Sequence, residues 1–545
     1  MDSPSADERS PELRFTVLPS AREVTSRCHR TFAEALRENG IAGRADCGSM
    51  GTCGQCRIRF VSQAPPPSPS GRRLISAEAL AAGWRLACQQ PILADASIEI
   101  AEPQASDPAG PAKLLEAPSK RSGREGSPLN GRGIGVAIDV GTTTLAVYLF
   151  DLSNGTLLGS AADYNPQRTL GADVISRIGI VRTRGAAGLE QLQQSVIEGL
   201  NGQIQSACEQ AGTEPTEVLR AVVAGNPTML HLFMGVSPVG IDQSPFEAAF
   251  LGSVTVAPTT IGLEVHPEAE VQLLPGASSY LGSDVVVGVL ATSLGEGGAT
   301  ELLIDIGTNG EIVLAHGGRF AACSTAAGPA FEGAAIRDGM TAVPGAIEDV
   351  RITGSRVATS TIGDAPAVGL CGTGLIGAVH ELLQEGAIDA SGKLLRDHRA
   401  LSEFLVGEGR DLGFFLGRSP RRVTLYQEDI RSFQLGKAAI RAGIDTLLDV
   451  TGVVAEDLER VYVAGAFGTH LQPQRALGTG LLPTLPTERI YAVGNTAGQG
   501  AVMVLLDRSL LSTADALAKR IETIELAAIP EFARRYIDRM AFPEP

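Results

Sequence analysis

The 545-residue sequence predicts a multidomain α/β protein, in which a small N-terminal domain precedes a duplicated, two-lobed part. Three observations lead to this prediction. Four cysteines are grouped near the N-terminus, a proline-rich stretch follows them, and one strand–turn–strand pattern occurs twice in the remainder. We expect an N-terminal domain at 11–101, a flexible linker at 102–132, a first lobe at 133–295 and a second lobe at 296–545.

Composition excludes several classes of protein. The formal net charge of −16 argues against a main role in binding nucleic acid or an anionic membrane. The N-terminal residues are polar and acidic, which argues against a signal peptide. No apolar run approaches the roughly 18 residues of a membrane helix. We therefore expect a cytoplasmic protein that binds neither nucleic acid nor membrane and contains no disulfides.

The N-terminal cysteines have the spacing of metal ligands. Cys47, Cys53 and Cys56 follow the pattern C-x5-C-x2-C, and Cys88 lies further along the chain. Three thiolates on one loop with a distant fourth hold a plant-type [2Fe–2S] cluster, although the first gap of that spacing is one residue shorter. Zinc sites usually show two paired motifs, and the partner of Cys53 and Cys56 is not a pair. We therefore favour the cluster and keep zinc as the alternative.

The flanking segments predict a small mixed sheet crossed by a helix. Apolar alternation predicts strands at 14–17, 57–61 and 97–101, and helical spacing predicts helices at 29–41 and 79–87. This arrangement resembles the β-grasp ferredoxins, and the longer first cysteine gap resembles their adrenodoxin-like branch. Cys28 lies outside the ligand spacing, and we expect it to begin the first helix as a small buried residue.

Residues 102–132 have the composition of a linker. Prolines recur among serine, glycine and alanine without apolar periodicity. We interpret the stretch as a solvated tether that lets the N-terminal domain move between an electron donor and an acceptor.

The rest of the chain contains a duplicated pattern. Residues 133–151 and 302–318 each read as an apolar strand, an Asp-x-Gly-Thr turn and a second strand. A second pair, 222–230 and 461–471, consists of apolar strands that end in small-residue turns. Two such copies predict two α/β lobes with a cleft between them. The matched turn positions are Asp139, Gly141 and Thr142 in the first copy and Asp305, Gly307 and Thr308 in the second.

These turns favour phosphate and Mg²⁺ chemistry. Glycine at a bend lets backbone N–H groups and threonine hydroxyls approach phosphate oxygens. The preceding aspartate can hold Mg²⁺ through water. One such turn is a weak signal, whereas two on opposite lobes predict a clamp.

The duplicated hairpins resemble the superfamily of actin, heat-shock chaperones and sugar kinases, whose lobes have a ribonuclease H-like fold. There, two hairpins grip the phosphates of ATP and a glycine-rich loop receives the adenosine. The resemblance implies catalytic carboxylates at Asp139 and Asp305, a first phosphate loop with Gly141, Thr142, Thr143 and Thr144, a second with Gly307, Thr308, Asn309 and Gly310, and an adenosine loop with Gly465, Ala466, Phe467 and Gly468.

Other positions keep two interpretations. Gly372, Thr373 and Gly374 form a small-residue turn before a predicted helix, where either phosphate or a closely packed strand would fit. Lys437 lies on a predicted helix, where it either reaches a nucleotide or is solvated. No residue stands out as the general base for hydrolysis, and Asp305 and Glu311 are candidates by position only. Residues 328–333 would shape the cleft or a dimer contact, or form a plain loop.

Three further cysteines lack ligand spacing. Cys208 ends a helical apolar face that points at a core, and Cys323 and Cys371 lie among small residues. We expect no second cluster within one chain.

A cysteine-rich ferredoxin-like domain joined to a duplicated ATPase resembles the reductive activators of corrinoid proteins over essentially the whole chain. The resemblance implies a homodimer that uses ATP and a [2Fe–2S] cluster to reduce Co(II) to Co(I). Its partner would be a corrinoid protein or a cobalamin-dependent methyltransferase, and its electron donor a ferredoxin, a flavodoxin or a reductase. The segments that carry the resemblance, besides the cysteines, are 165–167, 171–178, 224–229, 304–311, 328–334, 371–376 and 463–468.

Three alternatives remain open. The first is an ATP-driven activator of another low-potential enzyme, resembling the hydroxyacyl-CoA dehydratase activators, although those carry their cluster cysteines within the ATPase part. The second is a small-molecule kinase with a regulatory cluster. The third is a chaperone-like ATPase in which the cluster only senses redox state.

Overall fold

The computed structural model describes residues 12–39, 41, 56–61, 63–75, 77–100, 133–418, 422–465, 467 and 470–543. These residues form two compact units. The first contains the described residues up to position 100 together with Pro166–Ile180, and the second contains residues 133–165 and those from Val181 onward. The predicted linker 102–132 lies outside the described residues, as do Cys47, Cys53, Ala466 and Gly468.

The N-terminal unit is built on one mixed sheet. Its strands run in the spatial order β2-β1-β5-β3-β4, and among the residues described β1 and β5 pair parallel while the other neighbours pair antiparallel. The aromatic rings of Phe15, Phe32 and Phe60 meet edge to face at 5.0 and 5.3 Å and join the first helix to the sheet. The elements are β1 Glu12–Leu18, β2 Arg22–Arg27, α1 Phe32–Glu38, β3 Arg57–Phe60, α2 Pro69–Leu74, α3 Ala77–Ala81, β4 Trp84–Leu86 and β5 Ala96–Ile100.

Two helix predictions in this unit were wrong at their ends. Helix α1 begins only at Phe32, because Thr31 and Glu34 cap it reciprocally, each side chain accepting from the other's backbone N–H. Cys28 therefore lies half-buried in the preceding turn instead of beginning the helix. Helix α3 ends at Ala81, and Trp84–Leu86 is a strand. Gly83, with φ of +91°, makes the turn between them, where a Cβ would lie 2.9 Å from the Phe60 carbonyl oxygen.

The second unit contains two sheets with the same central plan, which confirms the predicted duplication. We call the parts built on these sheets the first and second lobes. The spatial orders are β10-β11-β9-β6-β7-β8 and β22-β21-β12-β13-β14-β23. In both, the hairpin strands pair antiparallel, and the first hairpin strand also pairs parallel with the later apolar strand, β9 or β21. The strands of the first sheet are β6 Ile134–Val140, β7 Thr144–Asp151, β8 Thr156–Tyr164, β9 Val218–Gly225, β10 Val254–Val256 and β11 Glu270–Leu273.

The second lobe adds two three-stranded sheets to its main sheet, in the orders β16-β15-β17 and β18-β19-β20. Its strands are β12 Glu301–Ile306, β13 Gly310–His316, β14 Arg319–Thr325, β15 Ala346–Thr353, β16 Arg356–Thr361, β17 Gly369–Leu370, β18 Leu405–Val406, β19 Gly413–Arg418, β20 Arg422–Tyr426, β21 Arg460–Gly465, β22 Ile490–Gly494 and β23 Ile521–Thr523.

Helices cover the sheets and join the lobes. Helices α8 and α12 pack so closely that a Cβ on Gly500 would lie 2.4 Å from the Val287 carbonyl oxygen. Cys208 closes the buried face of α5, as the sequence predicted. The helices are α4 Val174–Arg184, α5 Ala186–Ala211, α6 Pro227–Met234, α7 Pro258–Ile261, α8 Ser283–Thr292, α9 Gly372–Gln384, α10 Gln427–Thr451, α11 Pro473–Gly478, α12 Thr496–Leu506, α13 Leu510–Arg520 and α14 Pro530–Asp538. None of the helices in the described part of the chain has the length and apolar character needed to cross a membrane.

Lys437 contradicts both interpretations of the sequence. It lies on α10 with only 1% of its surface exposed. Its Nζ donates to the carbonyl oxygens of Arg539 and Ala541, at 2.7 and 2.6 Å, near the C-terminal end of the described chain. Burial, together with the charges of Arg441 and Arg539, lowers the pKa of Lys437 to about 7. The side chain anchors the C-terminal segment and is neither solvated nor available to a nucleotide.

The small residues Gly372–Gly374 form the first turn of α9 itself, and this turn is closely packed against its neighbours. A Cβ on Gly374 would lie 2.0 Å from the Ile347 carbonyl oxygen, and one on Gly372 would lie 2.1 Å from that of Phe331. The packing interpretation of these glycines therefore has a direct geometric basis, while a phosphate contact by Gly372 and Thr373 stays a prediction.

Substituting alanine for glycine in two helices tests this packing. Gly374→Ala should destabilise the chain by about 3 kcal/mol, because the new methyl group overlaps backbone that cannot move independently. Gly202→Ala on α5, where a Cβ meets nothing within 4 Å, should stabilise it by about 0.5–1 kcal/mol. Anaerobic thermal melts report both effects. Equal melting temperatures for Gly374→Ala and the native chain would contradict the packing.

Candidate functional site

Two of the four predicted cluster cysteines lie in the described part of the chain, and the fold brings them together. Cys56 directly precedes β3, and Cys88 lies in the turn that follows β4. The two strands are antiparallel neighbours, and the Ala87 N–H donates to the Cys56 carbonyl oxygen at 2.7 Å. Both side chains are buried, and their Sγ atoms lie 3.1 Å apart.

This pair fits an iron–sulfur centre. Two buried thiols at this distance can ligate one shared centre once deprotonated, and burial keeps water away from it. Within the described ranges, no set of three or more His, Cys, Asp or Glu side chains forms a metal site. The remaining predicted ligands, Cys47 and Cys53, fall outside those ranges, so the complete ligand set stays a prediction.

In the second unit, Asp139 contacts the start of a second-lobe helix. It is 2% exposed near the end of β6, and its Oδ2 accepts a hydrogen bond from Asn495 Nδ2 at 2.9 Å. The same amide donates to the Tyr148 hydroxyl oxygen at 3.1 Å, and Asn495 Oδ1 caps α12 by accepting from Gly498 N–H. Burial and the Asp139 charge raise the pKa of Tyr148. One asparagine thus ties the first-lobe carboxylate to the second-lobe helix.

Hydrogen bonds from two asparagines fix the first predicted phosphate loop, residues 141–143. Asn165 Nδ2 donates to the Gly141 carbonyl oxygen at 2.9 Å, and its N–H donates to the Thr143 carbonyl oxygen at 2.8 Å. Asn226 Nδ2 donates to Thr142 Oγ1 at 2.9 Å, while its Oδ1 caps α6. We assigned neither asparagine a role from the sequence. The available signal was the repeated Asn-Pro pair, which favours the start of a helical turn.

A group of carboxylates lies beside the second loop. Asp305 on β12 pairs across the hairpin with Glu311 on β13. Gly465 on the neighbouring strand β21 packs against Asp305. A Cβ on Gly465, whose φ is +94°, would lie 2.4 Å from Asp305 Oδ1, so only glycine fits there. Burial, then the charges of Asp284 and Asp305, raise the pKa of Glu311 well above its usual value. Glu311 therefore keeps its proton to higher pH than an ordinary glutamate.

The two predicted phosphate loops both form hydrogen bonds to Glu332, a residue to which we assigned no role from the sequence. Thr143 Oγ1 of the first loop and Thr308 Oγ1 of the second lie 3.1 Å apart. Both hydroxyls donate to Glu332 Oε2, at 3.0 and 2.6 Å. The expectation that residues 328–333 shape the cleft was therefore incomplete, because this segment supplies a charged side chain that contacts both loops. Because the segment is rich in glycine and small residues, we did not assign a role to Glu332 from the sequence.

The predicted adenosine loop is described in part. Gly465 ends β21, and Phe467 is buried with its ring edge-on to Phe331, at 5.4 Å between centroids. Ala466 and Gly468 lie outside the described residues.

The two glycines of the second predicted phosphate loop differ in the space around them. A Cβ on Gly310 would meet Thr325 Oγ1 at 2.8 Å, whereas one on Gly307 would lie 3.7 Å from its nearest neighbour. Gly307 therefore has room for a Cβ, whereas Gly310 does not.

Three parts of the chain match described families: residues 15–93 match the 2Fe-2S iron-sulfur cluster binding domain, 134–297 the RACo middle region, and 299–545 the C-terminal domain of RACo, the ASKHA domain. The corrinoid activation enzyme RamQ of Eubacterium limosum is 32% identical over 418 residues, covering 75% of this chain and 70% of that protein. This chain belongs to the RACo family.

Further comparisons agree with this family. The [Co(II) methylated amine-specific corrinoid protein] reductase of Methanosarcina barkeri is 26% identical over 450 residues, covering 75% of this chain and 77% of that protein. A solved reductive activator for a corrinoid, iron-sulfur protein is 31% identical, covers 98% of both chains and superposes with a TM-score of 0.72. The predicted ferredoxin-like domain followed by actin-like lobes is confirmed, as are an iron–sulfur domain and a nucleotide-binding ASKHA domain in a RACo-family chain.

The raised pKa of Glu311 predicts a pH-dependent effect of Glu311→Gln. A carboxyl group whose pKa is raised by folding contributes stability at pH values below its pKa in the unfolded chain. This contribution is lost as the pH rises through its pKa in the folded chain. Glutamine mimics the protonated form and does not titrate. The variant should therefore melt above the native chain at pH 8, with the difference shrinking toward pH 4. Melts across this pH range measure it, and a difference independent of pH would contradict the assignment.

Proposed function

We propose that this chain uses ATP to drive the reductive activation of a corrinoid protein, returning its cobalt from Co(II) to Co(I) with one electron. The observation that carries the proposal is the combination, in one RACo-family chain, of a buried cysteine pair and two phosphate-type loops that meet across two lobes. The names of the relatives, a corrinoid activation enzyme and a corrinoid protein reductase, support the same reaction class.

Electron transfer belongs to the N-terminal unit. Cys47, Cys53, Cys56 and Cys88 would hold a [2Fe–2S] cluster, which supplies one-electron chemistry at a low potential, near −400 mV for plant-type clusters. Burial of Cys56 and Cys88 excludes water from their sulfurs. An upstream ferredoxin, flavodoxin or reductase would supply the electron that the Co(II) substrate accepts.

Nucleotide chemistry belongs to the second unit. Asp139 and Asp305 occupy equivalent positions in the two hairpins and would hold Mg²⁺ through water, while the loop N–H groups and hydroxyls bind phosphate. ATP can assist an unfavourable electron transfer only by binding differently to two states of the complex. We therefore place the coupling in the complex with the corrinoid partner, where closing the lobes would change the affinity for one cobalt state.

The remaining parts of the proposal rest on the family resemblance for the homodimer and on the sequence patterns for the others. They comprise a homodimer, a cytoplasmic location and a linker at 102–132 that lets the N-terminal domain move between donor and acceptor. The boundaries 11–101, 133–295 and 296–545 belong to the same set.

The test is anaerobic visible spectroscopy of a Co(II) corrinoid protein from the same organism, mixed with the reduced chain. The Co(I) band should appear only with Mg-ATP. Cys88→Ser should lose both the cluster absorption and the reaction, whereas Cys28→Ser, a cysteine outside the ligand spacing, should keep both. No Co(I) from several corrinoid proteins, despite an intact cluster and active ATPase, would point to another low-potential acceptor.

Asp305→Asn separates the two chemistries. It should leave the cluster reducible and slow ATP-dependent Co(I) formation by at least about a hundredfold, because a charge that positions the cation is lost. Asp364→Asn, at an exposed carboxylate of the same lobe, serves as the matched control and should react like the native chain. Native rates and nucleotide affinity in Asp305→Asn would show that the clamp lies elsewhere.

A further inference from the structure

Glu332 links the two lobes through one carboxylate oxygen. It ends the short turn Pro329–Glu332 of the second lobe, and its Oε2 accepts from Thr308 Oγ1 at 2.6 Å within that lobe. The same oxygen accepts from Thr143 Oγ1 of the first lobe at 3.0 Å. Each predicted phosphate loop therefore has one hydroxyl bonded to the same anionic acceptor.

Packing fixes the position of this carboxylate. The Gly328 N–H donates to the Thr308 carbonyl oxygen at 2.8 Å, which ties the turn to the second loop. Phe331 is 1% exposed, and its ring contacts Phe433 and Phe467 at 5.6 and 5.4 Å. The glycine that follows Glu332 has a φ of +78°, and a Cβ there would lie 2.4 Å from the Met340 carbonyl oxygen. The turn is thus anchored on both sides of Glu332.

A hydroxyl bonded to Glu332 is not available to phosphate as a donor. Each threonine hydroxyl has a single proton, so donating it to a carboxylate prevents donation to another acceptor. A phosphate oxygen is an anionic acceptor of the same kind. A carboxylate and a phosphate cannot both approach these hydroxyls closely without strong like-charge repulsion.

We propose that Glu332 is a positioning residue that takes the place of the terminal phosphate of a nucleoside triphosphate. A triphosphate displaces the carboxylate from Thr143 and Thr308 and becomes the link between the loops. A diphosphate lacks the competing group and leaves Glu332 bonded. This inference rests on the proposed nucleotide-binding function and adds to it a basis for distinguishing triphosphate from diphosphate.

The test compares the affinities of Mg-AMPPNP and Mg-ADP for the full chain carrying its cluster, by anaerobic calorimetry. Glu332→Ala should bind AMPPNP about tenfold more tightly than the native chain, because no carboxylate has to be displaced, while ADP changes by less than about twofold. The AMPPNP affinity of Glu332→Gln should lie between those of the native chain and Glu332→Ala, since the amide oxygen still accepts but carries no charge. Glu403→Ala, at an exposed carboxylate of the same lobe, should change neither affinity.

The outcomes distinguish this role from others. A purely structural role would not change the preference for AMPPNP over ADP, so an unchanged ratio in both Glu332 variants overturns the inference. Weaker AMPPNP binding overturns it as well. If Glu332→Ala does not fold, as judged by melting and cluster absorption, Glu332→Gln decides alone. If the native chain binds neither nucleotide, the proposed function and this inference are both overturned. If the native chain binds them and the variants bind with the same affinities, only the inference is overturned.

Discussion

The second unit depends on a meeting of two equivalent turns across its lobes. Neither Gly141–Thr143 nor Gly307–Gly310 forms a clamp by itself, and the hydroxyls of Thr143 and Thr308 come within 3.1 Å only because the lobes hold them there. Contacts between the lobes support this geometry, in addition to the Glu332 carboxylate that accepts from both hydroxyls. Helices α8 and α12 pack together without space for a side chain at Gly500, and Asn495 joins Asp139 to the start of α12.

The residues suited to redox chemistry and those suited to nucleotide binding belong to different units. The buried cysteine pair belongs to a sheet of its own, with its own aromatic core. The carboxylates and hydroxyls that suit a nucleotide all belong to the second unit. Because the two chemistries use separate residues, we propose that ATP influences the electron only through the state of the whole complex. Substitutions in one unit should therefore leave the local chemistry of the other intact.

Local patterns in the sequence predicted the duplicated hairpins and the cluster domain, because the Asp-x-Gly-Thr turns and the cysteine spacing each lie within a few residues. The side chains that connect these turns could not be found in this way. Asn495 and its partner Asp139 are 356 residues apart, and Glu332 and Thr143 are 189 apart. Only tertiary packing brings such groups together. Lys437 shows the same limit, since helical periodicity does not reveal that backbone carbonyls from the C-terminus cover it.

We expect both hairpin turns to grip the phosphates of one nucleotide. A crystal structure of the chain with Mg-AMPPNP tests it most directly. We expect the phosphates between Gly141–Thr144 and Gly307–Gly310, with Mg²⁺ bridged by water to Asp139 or Asp305. Phosphates that contact only one of the two turns, or a nucleotide bound outside the cleft, would contradict a grip by both turns.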